Sequence, residues 1–321
     1  MKTVSGLNNK ILYITVILAG LFLLVSCSPH SADIKQDFSN TEAETTEPRA
    51  SDEAEVPEDL PDLSQEEKDM TGKPAEESGE EEESEKLVKY FEDKYGDSVP
   101  ASWGEKVDGV ITRIETEDKV IALTFDACGG KSDGYDERII NFLIQEEIPA
   151  TLFINSRWIE KYPDEFAGLA ANDLFEIANH GHKHKPLSVS GKSAYGIKGT
   201  ENVREVVEEI LLNEEKIIEI TGQKPLYFRS GTAYYDETAV KIANKLGYKV
   251  VNYNVLGDAG ATFNKRQIVK ACKSASPGSI ILFHMNRPET NIAEGIIEGI
   301  TELRNSGYRF VKLSDYHDHL K

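Results

Sequence analysis

From about residue 108 to Lys321 the chain alternates short apolar runs with stretches in which apolar residues recur every three to four positions. The first kind has the length and the β-branched and aromatic content of strands; the second has the spacing that lays one apolar stripe along a helix. The strand candidates are "VIALTF" from Val120, "ATLFIN" from Ala150, "LFEIAN" from Leu174, "LYFRS" from Leu226, "YKVVNYNV" from Tyr248, "SIILFH" from Ser279 and "YRFVKL" from Tyr308. Between them lie amphipathic stretches such as "DERIINFLIQEE", "NVREVVEEILLNEEKIIEITG" and "DETAVKIANKLG", the last two each stopped by a glycine. Strands joined through helices imply parallel pairing with right-handed crossovers, hence a barrel-like or doubly wound α/β domain over 108–321. Residues 87–107 read as a short helical or irregular lead-in.

The N-terminal third follows other patterns. Lys2 and Lys10 precede the apolar run "ILYITVILAGLFLLVS", which has the size of a signal h-region and is short for a membrane span. It ends in "LVSC", which resembles a bacterial lipobox, so 1–26 is expected to be a lipoprotein signal peptide and Cys27 the lipid-modified residue. An uncleaved signal anchor is the alternative, and both place the remainder outside the cytoplasm. The formal net charge of −20 is concentrated just beyond: residues 31–86 hold 21 Asp and Glu against 5 Lys and Arg, a net of −16. With Phe38 its one aromatic, this stretch cannot bury enough apolar surface to offset its ordering entropy. Residues 27–86 are therefore expected to be a disordered acidic linker. The remaining domain is only mildly acidic and its charge implies no partner. Neither nucleic acid nor a protein partner is expected.

Within the domain, ionisable residues gather at the predicted strand ends: Asp126 after the first strand, His180, His182 and His184 after the third, Arg229 after the fourth, Asp258 after the fifth and His284 after the sixth. In parallel α/β folds this edge is where active sites form. Imidazole is a common ligand for zinc and other transition metals, and His180 and His184 are spaced so that one turn brings both to a single ion.

From about Val120 to Leu313 the motif order "TFDACGG", "NHGHKH", "YFRSGTAYY", "NVLGDAG" and "ILFH" resembles the polysaccharide deacetylase family, carbohydrate esterase family 4. The resemblance implies a distorted (β/α) barrel holding a divalent metal. It puts His180 and His184 where the family's metal-binding histidines stand, Asp126 at the general base, His284 at the general acid, Arg229 at the arginine that orients the base, and Asp258 at the acid paired with the site's acid/base groups. It further implies metal-assisted hydrolysis of acetyl groups on N-acetylated cell-surface glycans, peptidoglycan or a related polysaccharide. Zinc is the first expectation for the ion, with cobalt, nickel or manganese as alternatives. Backbone N–H groups near Ser230 to Thr232 would receive the oxyanion.

The chain departs from the family where the second aspartate, its third metal ligand, gives way to Ala127. Four replacements are open: Asp126 itself, the Cys128 thiolate, Asp133 or Asp136 from the following loop, or His182 as a third imidazole. Gly129 and Gly130 would let backbone approach a ligand closely. Cys128 and Cys272 are expected as two free, buried thiols on separate elements. The leading reading is a lipid-anchored deacetylase beside a wall polysaccharide; the alternatives are a non-catalytic glycan-binding protein and an O-acetyl esterase. Trp158, Tyr195, Tyr234 and Tyr235 are the aromatics that could stack on sugar rings, against a core role.

Overall fold

The structure, a computed structural model, describes residues 76–321. The expected signal peptide, Cys27 and the linker as far as residue 75 lie outside the described residues. One parallel sheet is built from β1 (Val110–Ile111), β2 (Val120–Ala127), β3 (Ala150–Ile154), β4 (Phe175–Asn179), β5 (Tyr227–Phe228), β6 (Lys249–Val251), β7 (Val255–Leu256), β8 (Ser279–His284) and β9 (Arg309–Val311). The helices are α1 (Glu76–Tyr95), α2 (Glu137–Gln145), α3 (Ser156–Lys161), α4 (Pro163–Ala170), α5 (Val203–Thr221), α6 (Glu237–Lys245), α7 (Lys265–Lys273) and α8 (Ile292–Asn305). Each predicted apolar run holds a strand, and one of them holds two. Several helices begin at side-chain caps: Asp136 caps α2, Asn202 caps α5, and Asn264 with Gln267 forms a capping box on α7.

Strands follow the order β7-β8-β2-β3-β4-β5-β6-β1, with β9 also pairing β2. The run "YKVVNYNV", expected as one strand, divides into β6 and β7, which lie towards opposite ends of that order. Val251 and Val255 can be no more than about 14 Å apart along the chain. The sheet must therefore curl until its two ends approach, which makes it the distorted barrel the motifs implied.

Strand β2 is buried along its whole length, as a parallel strand covered on both faces must be. Its alternation assigns the faces: Ile121, Leu123, Phe125 and Ala127 join the apolar layer beneath the helices, while Val120 and Ala122 join the barrel interior with Phe153, Tyr227 and Ile280. A third cluster sits under α1, α5 and α6. Helix α1 starts within the segment expected to be linker, before residue 86, and covers the lead-in only as far as Tyr95. Its anchors are Val88 and Phe91, buried three positions apart against Val203 and Val207 of α5, with Arg204 paired to Glu85 and Glu92.

Candidate active site

Register brings the predicted acid and base together. His284 of β8 stands directly opposite Asp126 of β2, and Asn179, which precedes His180, stands opposite Phe228, which precedes Arg229. Arg229 is fully buried and every arm of its guanidinium is used. Nε donates to the Val251 carbonyl at 3.0 Å, Nη2 to the Asn252 carbonyl at 2.9 Å, and Nη1 to Thr124 Oγ1 at 3.1 Å and Asp126 Oδ1 at 2.7 Å. The group also lies 4.0 Å above the Phe153 ring. Asp126 is thus locked in one orientation, its other oxygen 3.6 Å from His180 Nε2.

His284 has a matching partner. Buried Asp258 accepts from the His284 backbone N–H at 2.6 Å and lies 2.9 Å from its Nδ1. Burial works against the charged ring, but the Asp258 carboxylate outweighs it and holds His284 protonated well above the ordinary imidazole range.

The two metal-type histidines sit on a turn fixed from α5. The buried carboxylate of Glu209 accepts from the Lys183 N–H at 3.0 and 2.9 Å and from the Lys185 N–H at 3.1 Å. The Glu209 backbone carbonyl takes the His182 N–H at 2.9 Å. His184 adopts φ 59, a conformation that costs a non-glycine residue energy and persists only because the turn is so held. Gly231 packs against it; a Cβ on Gly231 would stand 2.5 Å from both His184 Cγ and its carbonyl O. His180 Nδ1 faces the Arg229 carbonyl at 2.9 Å, so its N–H is consumed there and Nε2 is left to accept.

Cys128 completes the group. Its Sγ is 3.8 Å from His180 Nε2, and the ligand atoms of Cys128, His180 and His184 all lie within 4.8 Å of one another. Burial by itself would raise the thiol, yet His184, His180 and His284 around it prevail and hold it well below the ordinary value. His184 Nε2 is buried and has no hydrogen-bond partner. Two imidazoles and a thiolate-forming sulfur, one ring nitrogen orphaned among them, fit a divalent ion.

Other expected ligands are committed elsewhere. His182 Nδ1 is 2.7 Å from Ser156 Oγ, away from the cluster, so a third imidazole is not what this fold supplies. Asp136 caps α2 and pairs with Arg138. Asp133 lines the cleft, but its Oδ2 accepts from the Gly130 N–H at 2.6 Å. Gly129, at φ +73, lies against the backbone of Trp158 and Arg157, so it serves protein packing rather than a ligand. The Ser230 N–H donates to the Tyr235 hydroxyl at 3.0 Å, which removes it from the expected oxyanion donors. Cys128 and Cys272 are both free thiols; Cys272 is buried as expected, Cys128 only partly.

Asp126, Cys128, His184 and His284 open onto a cleft of about 460 Å³. Four of the six non-glycine residues with positive φ among the described residues line it, namely His184, Tyr195, Ala233 and Ala259. Strained backbone thus collects here, as it does at functional sites. Of the four aromatics considered for sugar stacking, Trp158 and Tyr235 are core, and Tyr195, 73% exposed, stands at the cleft beside Tyr234. Two polar side chains escaped the sequence reading, which considers only the backbone near Thr232: Thr232 Oγ1 and Asn286 Oδ1 are buried, belong to cleft-lining residues and lack partners. Asn286 follows His284 by two positions, the only signal that could have marked it.

Residues 113–251 match the family model described as polysaccharide deacetylase. A solved family 4 carbohydrate esterase from Bacillus anthracis is 25% identical, with 69% of this chain and 97% of that chain covered and a TM-score of 0.53. A family 4 pseudoenzyme from Bacillus anthracis is 21% identical over 69% of this chain and 70% of its own, with a TM-score of 0.55; a mutant of that protein is described as having restored enzymatic activity. A peptidoglycan N-acetylglucosamine deacetylase is 23% identical over 65% of this chain and 92% of its own, with a TM-score of 0.55.

Proposed function

We propose, from the match of residues 113–251 to the polysaccharide deacetylase family model, that this chain is a metal-dependent hydrolase removing acetyl groups from N-acetylated cell-surface glycans, peptidoglycan or a related polysaccharide. The observation that carries this reading is the pairing of Asp126 with His284 on adjacent strands, each fixed by its own buried partner, at the cleft that Cys128 and His184 of the Cys/His/His group also line. A protein that only bound glycan would have no use for an oriented base beside a protonated acid.

His180 and His184 would hold the ion, which when bound supplies the Lewis acidity that polarises the acetyl carbonyl. Asp126, its far oxygen tied to Arg229, takes a proton from water as the water oxygen bonds to the acetyl carbon. His284 gives its proton to the leaving nitrogen as the C–N bond breaks, so the products are acetate and a free amine. Gly231 and Thr232 line the cleft where the carbonyl oxygen would lie. Zinc is the first candidate ion, with cobalt, nickel and manganese behind it.

We assign the protein to the outside of the cytoplasmic membrane, anchored through lipid on Cys27 and reaching its polysaccharide through the acidic linker; the "LVSC" tetrad and the charge of 31–86 support this. A second reading, glycan binding without catalysis, is favoured by Ala127 and by the likeness to a pseudoenzyme. Acetate release from N-acetylglucosamine oligomers and from an O-acetylated glycan, measured on protein loaded with each of the four metals, separates these readings. Release from the N-acetyl substrate that disappears in Asp126→Asn supports the deacetylase. Release from the O-acetyl substrate alone assigns an esterase, and none from either leaves the binding protein.

A further inference from the structure

The missing aspartate leaves a question that the three-dimensional arrangement answers. We infer that Cys128 supplies the third protein ligand to the ion, so that the centre is one thiolate and two imidazoles rather than one carboxylate and two imidazoles. The inference rests on the reading above that an ion sits between His180 and His184.

Ala127 and Cys128 differ in what surrounds them. Ala127 is fully buried in the apolar layer beneath the helices, whereas Cys128, one residue on, lies within reach of His180. The chain is pinned there: Arg157 Nη2 donates to the Cys128 carbonyl at 3.0 Å, and the Asn155 N–H donates to the Ala127 carbonyl at 3.1 Å. Zinc–sulfur bonds near 2.3 Å and zinc–nitrogen bonds near 2.05 Å at tetrahedral angles put sulfur and nitrogen about 3.6 Å apart. The observed 3.8 Å between Cys128 Sγ and His180 Nε2 is close to that edge. His180 Nε2 is the free nitrogen because Nδ1 is spent on the Arg229 carbonyl, and His184 Nε2 has no other partner.

Most competing oxygen donors are taken: Asp258 by His284, Asp136 by Arg138 and Asp133 Oδ2 by the Gly130 N–H. Asp126 gives Oδ1 to Arg229 and keeps Oδ2 3.6 Å from His180 Nε2, but it stands outside the group whose ligand atoms all lie within 4.8 Å of one another, which is Cys128, His180 and His184. With sulfur as ligand, Asp126 keeps its place as base, and the substitution at Ala127 need not abolish the centre. A thiolate also changes selectivity: it favours zinc and cobalt and disfavours manganese and magnesium, which prefer oxygen.

The test loads the metal-free full chain with cobalt(II) and records its absorption. Wild type and Cys272→Ser should show a near-ultraviolet thiolate-to-cobalt charge-transfer band, and Cys128→Ser should lack it. Zinc affinity in Cys128→Ser should fall by more than the roughly 10–100-fold that loss of an outer-shell partner costs. A measurement needing no variant runs alongside: zinc should slow iodoacetamide labelling of Cys128 in wild type, read by peptide mass spectrometry. Cobalt bound without a thiolate band, zinc that leaves labelling unchanged, or an acetyl thioester accumulating on Cys128 would each overturn the inference. The two readings fail separately. A charge-transfer band with no acetate release keeps the ligand and removes the deacetylase; acetate release undiminished in Cys128→Ser does the reverse.

Discussion

Gly231→Ala probes how tightly the site is built, because it adds one methyl group and nothing else. Gly231 is not among the glycines of positive φ, so alanine suits its backbone and the substitution acts through space alone. The new Cβ would stand 2.5 Å from His184 Cγ and from its carbonyl O, whereas ordinary contact begins near 3.4 Å. The nearest atom, the His184 carbonyl carbon, would be 2.4 Å away, so His184 or the segment carrying Gly231 must retreat by about 1.0 Å. Glu209 holds the turn on the other side through three backbone hydrogen bonds, so the turn cannot move without breaking them. Overpacking of this kind costs about 1–3 kcal/mol, and a metal ligand displaced beyond about 0.5 Å leaves productive geometry. We expect zinc affinity to fall by about 10–100-fold, the range seen when ligand orientation is disturbed, and chemical denaturation of metal-free protein to show a loss of about 1–3 kcal/mol. Competition with a chromophoric chelator measures the first quantity. Zinc affinity within threefold of wild type would show that His184 is not held as described, or is not a ligand.

Arg229→Leu should destabilise the fold by about 3–5 kcal/mol in denaturant titrations, because it strands the buried Asp126 carboxylate and several acceptors; a loss below 1 kcal/mol contradicts that. Asp126→Asn should keep its ion while hydrolysis slows by about 10²–10⁴, and simultaneous loss of metal by plasma mass spectrometry would make Asp126 a ligand instead. Asp258→Asn should move the alkaline limb of the rate profile towards neutral pH, because the raised His284 value depends on that carboxylate. The same pair contributes stability that is full below the ordinary imidazole value of about 6.5 and is lost as pH climbs through the raised one; a limb unmoved by the substitution rejects the pairing. Phe91→Ala should cost about 3–5 kcal/mol if α1 is part of the folded domain, and a negligible change would return it to the linker.

By itself the sequence determined the alternation of strands and helices, because a fully buried parallel strand must be continuously apolar and an amphipathic helix must repeat its stripe. Glycine stops and side-chain caps marked the ends, since Gly222 at φ 68 and Asp136 at the start of α2 act on their own neighbours. Asp126, Arg229, Asp258 and His284 were legible for a related reason: each lies where a strand ends, and parallel strands share one edge. What needed the tertiary structure was direction and distance. The sequence pairs His184 with His180 and offers His182 as a candidate third imidazole; Glu209, far along the chain on α5, fixes the turn so that His184 faces the cleft and His182 meets Ser156. The split of "YKVVNYNV" follows from closure of the sheet, which no local pattern records. That α1 joins the domain depends on a partner surface on α5, because only Val88 and Phe91 in its second half are buried in the cluster that holds Val203 and Val207. Four candidates for the third metal donor stood level in the sequence, and the fold separated them by what each side chain was already bonded to. A ligand set is a property of converging vectors from residues as distant as Cys128 and His180, and periodicity along one chain carries no information about where such vectors meet.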